Sequence, residues 1–145
     1  MLTGCGYHLA SNQQMSKSFQ QLNFDSSDQH NEISRLVKTF LAHQDVVFTG
    51  RNDATTLRLG EERFERGTLS LFSSGQVAEY ELIYTLKYSV IKIKEEPQPF
   101  EIIIRRDYLD DPSSAQAKSR ERAKLLQEIR QQAAKLVVDQ LGQLD

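Results

Sequence analysis

Apolar positions change period along this chain, and the changes mark out its elements. From Ser18 to Asp25, Phe19, Leu22 and Phe24 predict a short strand. Ile33, Leu36, Val37, Phe40 and Leu41 then fall at i, i+3, i+4, i+7 and i+8, one stripe of an amphipathic helix that ends near Gln44. Ser26-Ser27-Asp28 supplies its N-cap candidates. Val46-Val47-Phe48 is β-branched and aromatic and reads as a strand, with a turn at Gly50-Arg51-Asn52-Asp53. Leu57 and Leu59 alternate with Arg58 and Gly60 in a strand running through Phe64. A break is expected at Gly67, before Leu69, Leu71 and Phe72. Ser73-Ser74-Gly75-Gln76 is a hairpin signal.

The clearest strand follows. Tyr80, Leu82, Tyr84, Leu86, Tyr88 and Val90 share one face, with Glu79, Glu81, Thr85, Lys87 and Ser89 on the other. Running on to Ile93, it would be about 45 Å long, so it must bend or project beyond its neighbours. Glu95-Glu96-Pro97-Gln98-Pro99 breaks it. Phe100, Ile102 and Ile104 return as an antiparallel partner ending at Arg105-Arg106-Asp107. Asp110-Asp111-Pro112-Ser113 opens a last helix that runs to Leu141 and is capped by Gly142. Leu125, Leu126, Ile129, Ala133, Leu136 and Val137 form its apolar face, but Ser114–Lys124 is polar almost all round, as a solvated or partner-facing segment is. The order β-α-β-β-β-β-α, with two striped helices, implies an α+β fold: an antiparallel sheet with both helices on one face.

Composition narrows the class. At 145 residues, with 39% apolar and 26% charged positions, the chain suits one domain with one core. Lys plus Arg number 18 against 20 Asp plus Glu, a net charge of −2, so no general attraction to nucleic acid exists and a polyanion would need a local basic patch. No apolar run approaches the length of a spanning helix.

The single cysteine excludes an internal disulfide. Cys5 follows Leu2-Thr3-Gly4, the pattern of a bacterial lipobox, in which a thiol beside small residues accepts a diacylglyceryl group. Such a motif calls for a secretory presequence ahead of it, and the chain reads as starting at the lipobox. Cys5 is therefore the expected lipidation site, although a free cysteine in a frayed terminus would look the same. Gly6, rather than Asp, follows it, which is compatible with sorting to the outer membrane. Residues 1–16 read as lipobox remnant and tether, and 17–145 as the single domain.

Catalytic and metal signals are weak. His8, His30 and His43 are scattered, and no paired cysteines or His-Glu-x-x-His spacing occur. Nucleophile-elbow and phosphate-loop patterns are absent too. Asp110 and Asp111, beside Pro112, suit a helix cap better than an acid pair. Tyr80, Tyr84 and Tyr88 could stack on sugar rings, but at period two they suit a core or a partner contact. No enzyme, cofactor or metal site is expected.

Four segments in this order, Cys5-Gly6-Tyr7-His8-Leu9, Leu57-Arg58-Leu59-Gly60, Ser74-Gly75-Gln76-Val77-Ala78-Glu79-Tyr80 and Asp111-Pro112…Ala117-Lys118, resemble the LPS-assembly lipoprotein LptE family, also called rare lipoprotein B. The resemblance runs from Cys5 to about Leu141. It implies a two-layer sandwich of a four-stranded, mostly antiparallel sheet and two helices, anchored in the outer membrane by its N-terminal lipid. It also implies residence inside the lumen of the LptD β-barrel, support of that barrel's assembly, and help in moving lipopolysaccharide to the outer leaflet. A wide lumen needs a plug, and a hairpin protruding from a polar-surfaced domain suits the task. The hairpin residues Phe72, Ser73, Ser74, Gly75 and Gln76 are the expected partner contacts, or else simply close the turn.

Lipopolysaccharide carries phosphates, which call for Arg and Lys. The family associates its binding with a basic residue after the hairpin Phe and with a Lys early in the last helix. Lys118 matches the second position; at the first, Ser73 follows Phe72, which weakens the hairpin half of such a site. Arg105 and Arg106, with Arg120, Arg122 and Lys124 on the helix, are the nearby substitutes, Arg122 sharing a helical face with Lys118 at i, i+4. Read without the family, these cations are a solvated charged face. The competing reading is a stand-alone periplasmic lipoprotein that binds a lipid or peptidoglycan fragment, which would require an enclosed apolar cavity.

Overall fold

The computed structural model describes residues 15–110 and 115–144. A short 3₁₀ turn, Lys17–Phe19, inserts the fully buried Phe19 and leads into β1 (Gln21–Ser26). Then come α1 (Glu32–His43), β2 (Val47–Phe48), β3 (Thr55–Leu71), β4 (Val77–Ile91), β5 (Gln98–Leu109) and α2 (Ala115–Leu141). The striped helix is where its periodicity placed it, but its cap is Asn31, whose Oδ1 accepts from the Ser34 N–H at 2.9 Å, and not the Ser26–Asp28 run. Asp28 instead accepts from the His30 N–H, closing the turn before the helix.

The two-layer α+β class holds, with a different sheet. Five strands lie in the order β2-β1-β3-β4-β5. β1 is parallel to both β2 and β3, whereas β3, β4 and β5 form an antiparallel meander. The expected four-stranded, mostly antiparallel sheet thus becomes a mixed one. The cause is α1: a helix between β1 and the next strands is a crossover connection, and crossovers return strands parallel. Both helices cover one face, where Leu22, Leu57, Leu82, Tyr84, Leu86, Ile102 and Ile104 pack against Ile33, Val37 and Leu41 of α1 and Ile129, Ala133, Val137 and Leu141 of α2.

β3 runs unbroken through Gly67, which pairs with Glu81. The register shifts lie on either side of it: between Leu59 and Glu62, where one extra residue makes a bulge against β4, and again between Thr68 and Leu71. At Gly60 a Cβ would stand 2.8 Å from the Lys87 carbonyl oxygen, so only glycine fits the close approach. The bulge reverses the parity of the strand. Leu57 and Leu59 face the helices before it; Glu62, Phe64 and Arg66, opposite Leu86, Tyr84 and Leu82, face them after it.

β1 pairs only with residues 55–59 of β3, so the far part of the β3–β4 hairpin extends past its neighbour. Its turn is closed by Phe72 N–H to Gln76 C=O at 2.7 Å and Gly75 N–H to Phe72 C=O at 2.9 Å, with Gly75 at φ 86°. The second half of α2 is buried on its inner side, while residues 115–128 are largely exposed and overhang the far ends of the strands.

Candidate functional site

Under that overhang is a cleft of about 430 Å³. Its floor is Arg66 of β3, Tyr80 of β4, and Tyr108, Leu109 and Asp110 at the end of β5. Its roof is the first three turns of α2, including Lys118, Glu121, Arg122 and Leu125. Register makes the floor: Tyr80 and Tyr108 are direct partners in the β4–β5 ladder, and their rings stack at 5.4 Å with 26° between planes. The Arg66 guanidinium lies 4.4 Å from the Tyr80 ring centroid, a cation–π contact placed there by the Gly60 bulge. Helical spacing makes the roof, since 118, 122 and 125 follow i, i+4, i+7. Lys118 Nζ forms an ion pair with the Asp110 carboxylate, and the Asp110 N–H is held by the Ala78 carbonyl at 2.9 Å. Arg122 and Arg66 make no ion pair among the described residues. Three cations and two carboxylates therefore line a cleft with aromatic and aliphatic walls, an arrangement suited to holding an anionic group attached to a ring or chain.

The expected binding residues do not all meet. Lys118 and Arg122 share the cleft. Arg106, on the helix-facing side of β5, is engaged further along α2 with Gln132. Arg105 points from the opposite face of the sheet, where its Nη1 donates to Glu81 at 3.2 Å. A one-residue step along a strand separates the pair across the sheet. Phe72, Ser73, Ser74, Gly75 and Gln76 form the tip of the hairpin, where Leu69, Leu71 and Phe72 are exposed apolar residues. Cys5, and the Asp111–Ser113 helix start, lie outside the described residues.

The tyrosine stripe divides. Tyr84 and Tyr88 belong to the core, and burial pushes both phenols well above their ordinary range, the Glu62 carboxylate adding to the effect at Tyr84. Tyr80 alone reaches the cleft. Arg66 and Tyr108 were not legible as site residues, because the bulge that turns Arg66 inward has no signal beyond a single glycine. Among the described residues no cluster of three or more His, Cys, Asp or Glu side chains could hold a metal ion, and no helix is long and apolar enough to cross a membrane.

Fold and cleft together define a small two-layer α+β domain with a cleft lined by cations and aromatic rings. The family described as LptE: Lipopolysaccharide-assembly matches residues 19–141, and the chain belongs to this family of non-enzymatic assembly lipoproteins. It is 35% identical to the LPS-assembly lipoprotein LptE of Pectobacterium atrosepticum over 141 residues, covering 95% of this chain and 77% of that one. It is 31% identical to the protein of the same name from Yersinia pestis, covering 95% and 68%. Among solved structures, the rare lipoprotein B of Shewanella oneidensis superposes with a TM-score of 0.79 at 46% identity, covering 85% of this chain and 94% of that one. A lipoprotein B from Nitrosomonas europaea shares the fold, at 17% identity and a TM-score of 0.76 over 94% of this chain and 90% of that one.

Proposed function

We propose that the protein is an outer-membrane lipoprotein, lipidated at Cys5, that plugs the LptD β-barrel, assists its assembly and helps deliver lipopolysaccharide to the outer leaflet. Its overhanging cleft binds a phosphate of lipopolysaccharide through Lys118 and Arg122. The observation that carries this reading is the convergence of those two cations on one cleft, in a chain of a lipopolysaccharide-assembly family. The exposed apolar tip, with Leu71 60% and Phe72 47% accessible, supports a second contact, in which the hairpin rests against the barrel wall. A stand-alone lipid carrier would need an apolar enclosure; five charged residues in the cleft lining favour recognition of a head group.

Binding of purified lipopolysaccharide to the whole protein tests the reading. Replacing Lys118→Ala and Arg122→Ala together should lower affinity about tenfold or more and flatten its salt dependence. Unchanged affinity and salt dependence would rule out this patch.

A further inference from the structure

The geometry points to Arg66 as a third phosphate-binding cation of the cleft, beside Lys118 and Arg122, and to Asp110 as a built-in anion that occupies Lys118 until a phosphate displaces it. The inference deepens the lipopolysaccharide-binding reading and rests on it.

The hairpin cannot supply this cation, because an uncharged Ser73 follows Phe72. Arg66 enters from another strand. It lies on the cleft floor with its guanidinium carbon 4.4 Å from the centre of the Tyr80 ring, and Tyr80 is itself stacked on Tyr108. A guanidinium carries five N–H donors in a planar fork, and contact with one ring leaves donors available to grip a phosphate. Neither Arg66 nor Arg122 forms an ion pair among the described residues, although Asp110 and Glu121 share the cleft lining with them. This differs from the rest of β3, where Arg58 pairs with Asp25 and Arg63 with Glu65.

Lys118 does have a partner, and that partner is placed by the backbone. The hydrogen bond from Asp110 N–H to Ala78 C=O fixes the end of β5 so that the carboxylate lines the cleft, on Lys118. A carboxylate at that point is a stand-in for an incoming anion. A phosphate monoester bears up to twice the charge and three acceptor oxygens. It can bridge Arg66, Lys118 and Arg122 where the carboxylate engages Lys118 alone. The ligand chemistry is a phosphorylated sugar, with the tyrosine pair as a platform for the ring.

The test compares diphosphorylated lipid A with its enzymatically dephosphorylated form, binding to the whole protein and its variants. Arg66→Gln should weaken binding of the phosphorylated form about tenfold, with little change for the dephosphorylated form and no loss of thermal stability. Arg66→Lys, which keeps charge but loses the fork, should fall between and serves if the Gln variant folds poorly. Asp110→Asn should tighten binding of the phosphorylated form about two- to fivefold by removing the competing anion. If both Arg66 variants bind like the parent while Lys118→Ala with Arg122→Ala does not, the role of Arg66 is overturned and lipopolysaccharide binding stands. If Asp110→Asn binds no better, the displaced-anion role is overturned. If the parent protein does not distinguish the two forms of lipid A, this inference and the binding reading both fall.

Discussion

Arg130 on α2 reaches across the layer to Glu62 on β3, Nε to Oε1 at 2.8 Å, and the same guanidinium takes Glu32 of α1 at 2.9 Å. One side chain thus ties both helices to the sheet. Burial works against its charge, but the hydrogen bonds and charges of Glu62, then Glu32, outweigh this and hold the guanidinium above its ordinary pKa. Arg130 also lies over the Phe64 ring at 5.2 Å. Its side chain is 22% exposed and that of Glu62 14%, so the pair is more shielded than a surface bridge.

Arg130→Met should therefore destabilise the fold by about 2 kcal/mol, because it keeps the packing volume but leaves two carboxylates facing the layer without a cation. For a domain of this size that is a fall in Tm of roughly 4–8 °C, read by thermal unfolding. A variant as stable as the parent would mean that water already solvates both carboxylates.

Gly60→Ala should cost about 1–3 kcal/mol, since its methyl group would meet the Lys87 carbonyl at 2.8 Å, a backbone atom with no room to yield. Gly67→Ala is the control, because a Cβ there has open space. Denaturant midpoints of the two variants measure the difference. Equal midpoints would mean that the bulge relaxes freely.

These two glycines also show where sequence ends and structure begins. Periodicity located the helices and the faces of β4, because burial on one side leaves a repeat in the residues. It put the strand break at Gly67 and missed the bulge at Gly60. A glycine looks alike in both roles, and only pairing with β4 separates them. Past the bulge every inference about facing changes sign, so Arg66 went unseen and Glu62 gave no hint of its contact with Arg130. The parallel placement of β1 was hidden for a related reason: strand direction follows from the α1 crossover and not from any local pattern. In the cleft, the i, i+4 spacing revealed Lys118 with Arg122, whereas Arg105 and Arg106, adjacent in sequence, separate to opposite faces of the sheet.

Alkaline pH should loosen the core. The Tyr84 phenol is fully buried, its hydroxyl has no hydrogen-bond partner of good geometry, and burial foremost, with Glu62 next, raises its pKa. In the unfolded chain a tyrosine ionises near pH 10. A raised folded-state pKa means that the contribution to stability is intact below about pH 10 and is lost as pH climbs beyond it, by up to about 1.4 kcal/mol per pH unit for this group. Tyr84→Phe should change stability at pH 7 by less than about 1 kcal/mol and reduce the decline above pH 10. An identical alkaline slope in parent and variant, followed by chemical denaturation, would assign the loss to other groups.

The most direct measurement is purification of the lipidated protein from outer membranes under mild detergent, with identification and quantification of what accompanies it. The expected result is a mature form acylated at Cys5, in equal amount with the LptD barrel, and a crosslinker placed at Phe72 joining the two chains. An unacylated protein recovered free from the periplasm, with no barrel bound, would contradict it.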